Sequence, residues 1–206
     1  MSMTQVLTGV QSLGDGVPAN ARGGRAGEQM VSELQGRYYE QAYRGNLYVA
    51  HAIVTAPVIY TTAAGTGGPL IWNGGTKTNV VVLAVGIGIT VVTTVAAALG
   101  LTGNTGQSSA PSSTTAIDSR SNLFIGGAAS NATPYRVGTV TNAGGFFLPL
   151  ASLHTGALTV DNLGMGWIDV GGAVICPPGG WVSIAASATA STTVAQMAIL
   201  YAEVPV

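Results

Sequence analysis

The sequence predicts an all-β sandwich carried behind a polar N-terminal arm, on three observations. From Asn46 onward the chain consists of short apolar or alternating runs rich in Val, Ile and Thr, broken by Gly, Pro, Asn and Ser, as in strands and turns. Hydrophobic residues make up 47% of the 206, enough for the core of one large domain or of a domain with an appendage. Only 7% of residues are charged, against roughly 25% in an average soluble protein. Of the seven basic and eight acidic side chains, Asp15, Arg22, Arg25, Glu28, Glu33, Arg37, Glu40 and Arg44 all fall within residues 1–45.

The arm, 1–45, begins as a glycine-rich extended segment through GDGVPANARGGRAG, which lacks the apolar density to fold by itself. Within GEQMVSELQGRYYEQAYRG, Met30, Leu34, Tyr38 and Gln41 follow a helical spacing, so a short helix is expected there; Gly36 weakens it by about 1 kcal/mol. No basic stretch followed by an apolar one opens the chain, so it does not read as a secretory signal, and assembly in the cytoplasm is expected.

Strands are expected in order at Leu47–Thr55, Val58–Thr62, Pro69–Trp72, Asn79–Val92, Leu123–Gly126, Arg136–Thr141 and Gly145–Pro149. They continue at Ala157–Val160, Gly166–Val170, Ala173–Cys176, Trp181–Ala186 and Val194–Val204. Turn chemistry separates them: GTGG at 65–68, NGG at 73–75, NAGG at 142–145, DNLG at 161–164 and PPGG at 177–180. So many short strands indicate a sandwich or barrel and not a parallel α/β sheet. Val80–Leu101 is long and uncharged enough to span a bilayer as a helix. Its β-branched majority, with Gly86 and Gly88, suits buried strands instead, and no membrane is expected. Thr102–Thr115 is polar and aperiodic and reads as a long exposed loop.

Reactive groups are sparse. His51 and His154 are the two imidazoles; His51 sits on one face of an alternating run and His154 after a strand end, so both read as structural or surface groups. Asp118, Asp161, Asp169 and Glu203 are too scattered to mark a catalytic carboxylate pair, and Glu203 reads as an outward residue of the last strand. The chain has no G-x-S-x-G, G-x-x-x-x-G-K-[ST] or H-E-x-x-H motif. Cys176, the one cysteine, reads as a small buried hydrophobe, which leaves no disulfide and no thiolate metal site. Neither a cofactor nor a metal is expected, and no enzyme. A net charge of −1 without a Lys/Arg cluster gives nucleic acid no electrostatic footing. Trp72, Trp167 and Trp181 stand in apolar strands and read as core or subunit-contact anchors. A surface this poor in charge suits a subunit covered by its neighbours.

Two passages carry a resemblance: LIWNGGTKTNVVVLAVGIGI at 70–89 and ICPPGGWVSIAASATASTTVAQMAILYAEVPV at 175–206. Together they resemble the jelly-roll domains of tailed-bacteriophage virion proteins, such as capsid cement or decoration proteins and head or tail fibre tips. In those domains an Asn-Gly hairpin leads into a long apolar strand, and a Pro-Gly turn introduces a final strand pair that ends in an acidic residue before Val-Pro. Here these are Asn73 and Gly74, Pro178 and Gly179, and Glu203, Val204 and Pro205.

The resemblance implies a TNF-like jelly roll over 46–206, commonly trimeric, with arm 1–45 docking on the major capsid protein. The expected role is a capsid cement or decoration subunit at the virion surface, assembled in the host cytoplasm. Arg22, Arg25, Arg37, Tyr38, Tyr39, Tyr43 and Arg44 would then supply the polar and aromatic contacts of the arm, and the tryptophans the oligomer interface or core. The alternative is a fibre tip that binds a receptor or glycan, but no coiled-coil, collagen-like or repeat shaft precedes the β region.

Overall fold

The computed structural model describes residues 37–55, 68–91, 97–117, 119–153, 166–188 and 194–206. The described elements are a single-turn helix α1 (Tyr39–Tyr43) and strands β1 (Leu47–Thr55), β2 (Leu70–Trp72), β3 (Thr78–Val91), β4 (Ala97–Asn104), β5 (Ser112–Ala116) and β6 (Ser119–Asn122). They continue with β7 (Thr133–Thr139), β8 (Gly145–Leu153), β9 (Gly166–Cys176), β10 (Trp181–Ala186) and β11 (Val194–Pro205). The chain divides into two units, Met1–Tyr39 and Glu40–Val206. In the described part of the first, the Arg37 guanidinium stands 5.3 Å from the Tyr38 ring centre. The second unit holds every described strand.

Alternation in LYVAHAIVT builds β1: Tyr48, Ala50, Ala52 and Val54 are buried in the core, which turns Val49, His51 and Ile53 to the opposite face. The same two-residue period sends Val80 and Val82 of β3, Val182 and Ile184 of β10, and Met197, Ile199 and Tyr201 of β11 into that core. Two antiparallel sheets result. One has the order β6-β1-β11-β3-β9, the other β5-β7-β2-β10-β4-β8. Their shared core takes residues from both, with Leu99 and Leu101 of β4 facing the β1, β3 and β11 residues. Burial of each such side chain contributes about 1.5–3 kcal/mol. From β1 to β4 and from β8 to β11, every consecutive strand changes sheet.

That alternation corrects part of the expectation. β2 and β3 do not pair, so Asn73–Gly74 is a crossing between sheets and not a hairpin, and β10 and β11 likewise lie in different sheets. Asn73 is fully buried and braces the crossing: its Nδ2 donates to Thr78 O (2.8 Å) and Cys176 O (3.0 Å), and its backbone exchanges hydrogen bonds with Gly179 and Gly180 of the PPGG turn.

Other elements depart from the sequence reading for local reasons. The described helix is limited to Tyr39–Tyr43, closed by Gly45 at φ 72° with Gly45 N donating to Ala42 O; residues 27–36 of the expected helix lie outside the described residues. Leu123–Gly126 is a turn and not a strand, tied by Gly127 N to Phe124 O at 2.8 Å with Gly126 at φ 87°. Gly166–Val170 and Ala173–Cys176 are one strand, β9, which continues through Gly171 and Gly172 at positive φ; the register shifts there against β3, as in a β-bulge. Thr102–Thr115 contains the end of β4 and the start of β5 in place of a free loop. Val80–Leu101 contains most of β3 and the first half of β4, and among the described residues no helix is long and apolar enough to cross a membrane. The expected strands Val58–Thr62 and Ala157–Val160 lie outside the described residues.

Candidate interaction surface

The scattered reactive groups stay scattered where they are described. His51 lies mid-strand in β1, in register with Ala198 on one side and Ser119 on the other. Asp169 caps the bulge of its own strand, its Oδ1 accepting from Gly171 N at 2.9 Å. Cys176 is buried, and burial pushes its thiol up to about 12. Among the described residues no three His, Cys, Asp or Glu side chains gather as metal ligands would. Asp118, His154 and Asp161 lie outside the described residues.

Glu203 overturns its reading as an outward residue. It is only 4% exposed, and its carboxyl accepts from Ser130 Oγ (2.5 Å), Asn131 Nδ2 (2.7 Å) and Ala132 N (3.0 Å). Ser130 Oγ in turn accepts from the Tyr201 hydroxyl at 2.9 Å, and the Tyr201 ring stacks on Tyr48 with centroids 5.5 Å apart. Burial, and secondarily the Glu203 charge, raise the Tyr48 phenol above its ordinary value. A buried acid with three donors is an anchor. It fixes the 123–132 loop to the end of β11, and no sequence period shows this because the partners lie more than seventy positions upstream.

The three tryptophans separate. Trp181 is 2% exposed and clusters with Leu70 and Val140, while Trp72 is half-buried and donates from Nε1 to Gln107 O at 3.2 Å. These two belong to the outer side of the six-stranded sheet, which the chain covers itself. Gln107 closes that cover: it is 2% exposed, accepts from Thr141 N at 2.8 Å and donates to Ser109 O at 2.8 Å. Trp167, on β9 of the other sheet, is 54% exposed and lies across Gly86, where an added Cβ would meet its ring at 3.4 Å.

The outer face of the five-stranded sheet is therefore the candidate surface. Val49, His51 and Ile53 of β1, Ala198 and Leu200 of β11, Val81 and Leu83 of β3, and Trp167 and Ile175 of β9 alternate with the core-facing set. Ile53 and Ile175 are both exposed, and Asp169 is the one acidic residue of β9. At the β6 edge the turn exposes Leu123, Phe124 and Ile125 together, Ile125 at 97%, and Tyr43 packs edge-on to Phe124 with centroids 6.3 Å apart. On the sheet face itself Ala198 and Leu200 are buried and Val49, His51, Val81 and Leu83 half-buried, so Ile53, Trp167 and Ile175 with the 123–125 turn carry its exposed apolar side chains. Of the expected arm contacts, Arg37, Tyr39, Tyr43 and Arg44 are exposed and Tyr38 is half-buried, whereas Arg22 and Arg25 lie outside the described residues. The turn, Trp167 and Ile175 carry more exposed apolar surface than the sequence reading assigned; the signal was an apolar run, LFI, bounded by polar residues, read there as a strand. No family model, curated protein or solved structure matches this chain.

Proposed function

We propose that this chain is a non-enzymatic virion structural protein, a capsid cement or decoration subunit that trimerises through its β domain and anchors to the major capsid protein through its N-terminal arm. The observation that carries the reading is the outer face of the β6-β1-β11-β3-β9 sheet, where Ile53, Trp167 and Ile175 are exposed with Asp169 as the acidic residue beside them, against a six-stranded sheet on which Trp181 is buried by the chain itself. With strands about 4.8 Å apart and near 30 Å long, that face offers roughly 600 Å² before side-chain relief is counted. Each partner of a standard stable interface contributes about 800 Å².

Strand order supports a TNF-like jelly roll. Setting aside β5, β6 and β7, the sheets are β1-β11-β3-β9 and β2-β10-β4-β8, eight antiparallel strands whose successive members change sheet except where β4 meets β8. Eight strands in two sheets wound as Greek keys are the jelly-roll pattern, a recurrent element of viral capsid domains. The scarcity of charge supports a surface closed by neighbours. Immunogold labelling of intact particles from the producing cells tests the location. Gold over the shell supports the cement reading, gold at tail or fibre ends replaces it with the receptor-binding tip, and gold away from particles overturns both.

A further inference from the structure

We propose that Asn73–Gly74 is a latent deamidation site which the folded β domain keeps closed, and that its conversion is a one-way mark on chains that have opened. It is the single Asn-Gly pair in the sequence. Glycine has no Cβ, so its backbone nitrogen meets the least hindrance in approaching the side-chain carbonyl carbon of the residue before it. The reaction is an exchange of bonds: Gly74 N attacks Asn73 Cγ, the Cγ–Nδ2 bond breaks, and ammonia departs to leave a five-membered imide. Water then opens the imide. Attack at Cγ gives aspartate at position 73, whereas attack at the main-chain carbonyl gives isoaspartate, with the chain rerouted through Cγ.

The fold holds Asn73 away from this geometry. Its Nδ2 donates to Thr78 O at 2.8 Å and to Cys176 O at 3.0 Å, its backbone N donates to Gly180 O at 2.9 Å, and its backbone O accepts from Gly179 N at 2.8 Å. Swinging Cγ onto Gly74 N would break both side-chain bonds, and Asn73 is 0% exposed, so the water and base that the reaction needs are kept from its carboxamide. The Trp72 ring packs so closely on Gly74 that an added Cβ there would collide with it, which also restrains the Asn73–Gly74 peptide. Conversion therefore waits on opening of the crossing. Closing again then fails. Deamidation turns a double donor into an acceptor, so the new carboxylate would be buried facing the carbonyl oxygens of Thr78 and Cys176. Isoaspartate lengthens the main chain by one atom, so the bonds to Gly179 and Gly180 cannot both be remade. Asn73 joins the β2–β3 crossing to the turn between β9 and β10, so one altered side chain loosens two connections between the sheets.

The test holds the full chain at one mildly alkaline pH and temperature, folded in buffer and unfolded in urea, and follows ammonia loss at Asn73 by fragmenting the tryptic peptide that contains it in a mass spectrometer. The expected result is conversion at least tenfold slower in the folded chain. A smaller difference overturns protection by the fold, and no conversion in urea removes the site altogether. Urea unfolding of Asn73→Asp at neutral pH, beside the parent, tests the one-way step. A midpoint below the parent's, or no folded state, is expected; a midpoint equal to the parent's would show that a converted chain closes normally and would overturn it.

Discussion

On the outer side of the six-stranded sheet Trp181 is 2% exposed among Leu70, Val140, Trp72 and Tyr135, whereas on the outer side of the five-stranded sheet Trp167 is 54% exposed. Both tryptophans sit on strands of one domain, and both stood in apolar runs of the sequence. The difference lies in the segment between β4 and β8. It sets Gln107 and Val140 against Trp72 and Trp181 of one sheet and presents Leu123, Phe124 and Ile125 at the edge of the other. One apolar strand surface is thus covered by its own chain, while on the other Ile53, Trp167 and Ile175 stay exposed.

Disturbing the covered side is expected to cost folding stability. Gly144→Ala has the largest effect: its Cβ would lie 2.2 Å from Thr102 Oγ1 and 2.6 Å from Trp181 Cη2, so strand and cover must separate, at about 3 kcal/mol. Urea unfolding gives the value, and an unchanged midpoint would show that the cover is not packed as described. Gln107→Ala removes the acceptor of Thr141 N and should cost about 2 kcal/mol by the same measurement. Glu203→Gln replaces one accepting oxygen with a donor that faces another donor. The expected loss is about 1–2 kcal/mol in thermal unfolding, with faster proteolysis of the 123–132 loop.

Alkali offers a finer probe of the core both sheets share. A Cys176 thiol at about 12 when folded and 9.0 ordinarily holds its proton longer folded than unfolded. Its contribution to stability is full below pH 9 and is lost as pH rises toward 12, at up to about 1.4 kcal/mol per pH unit. Cys176→Ala should flatten that part of the stability-against-pH curve, and an unchanged slope would assign the loss to other groups.

Much of the β framework was legible before the structure. The limits of β1 and β10 follow from alternation and flanking turn residues and coincide with the expected ones, and β11 ends one residue later than expected. Strands β5 and β6, SSTTA and SRSN, escaped because neither carries an apolar run and the pairing is supplied by β7 and β1. The Gly171–Gly172 pair read as a break because a bulge and a turn share the same residue chemistry. Glu203 read as solvent-facing because its position beside the polar end of β11 says nothing of Ser130 and Asn131. Leu123–Ile125 read as a strand because an apolar run is the same signal whether the chain buries it or exposes it.

The most direct measurement is the solution mass by light scattering of the full chain beside a Trp167→Asp, Ile175→Asp variant. Both substituted residues are more than half exposed, so circular dichroism of the variant should match the parent. The predicted result is three chains of 20.6 kDa for the parent and a folded single chain for the variant. A parent that runs as a monomer, or a variant that still runs as three chains, would contradict the assignment of this face to self-association.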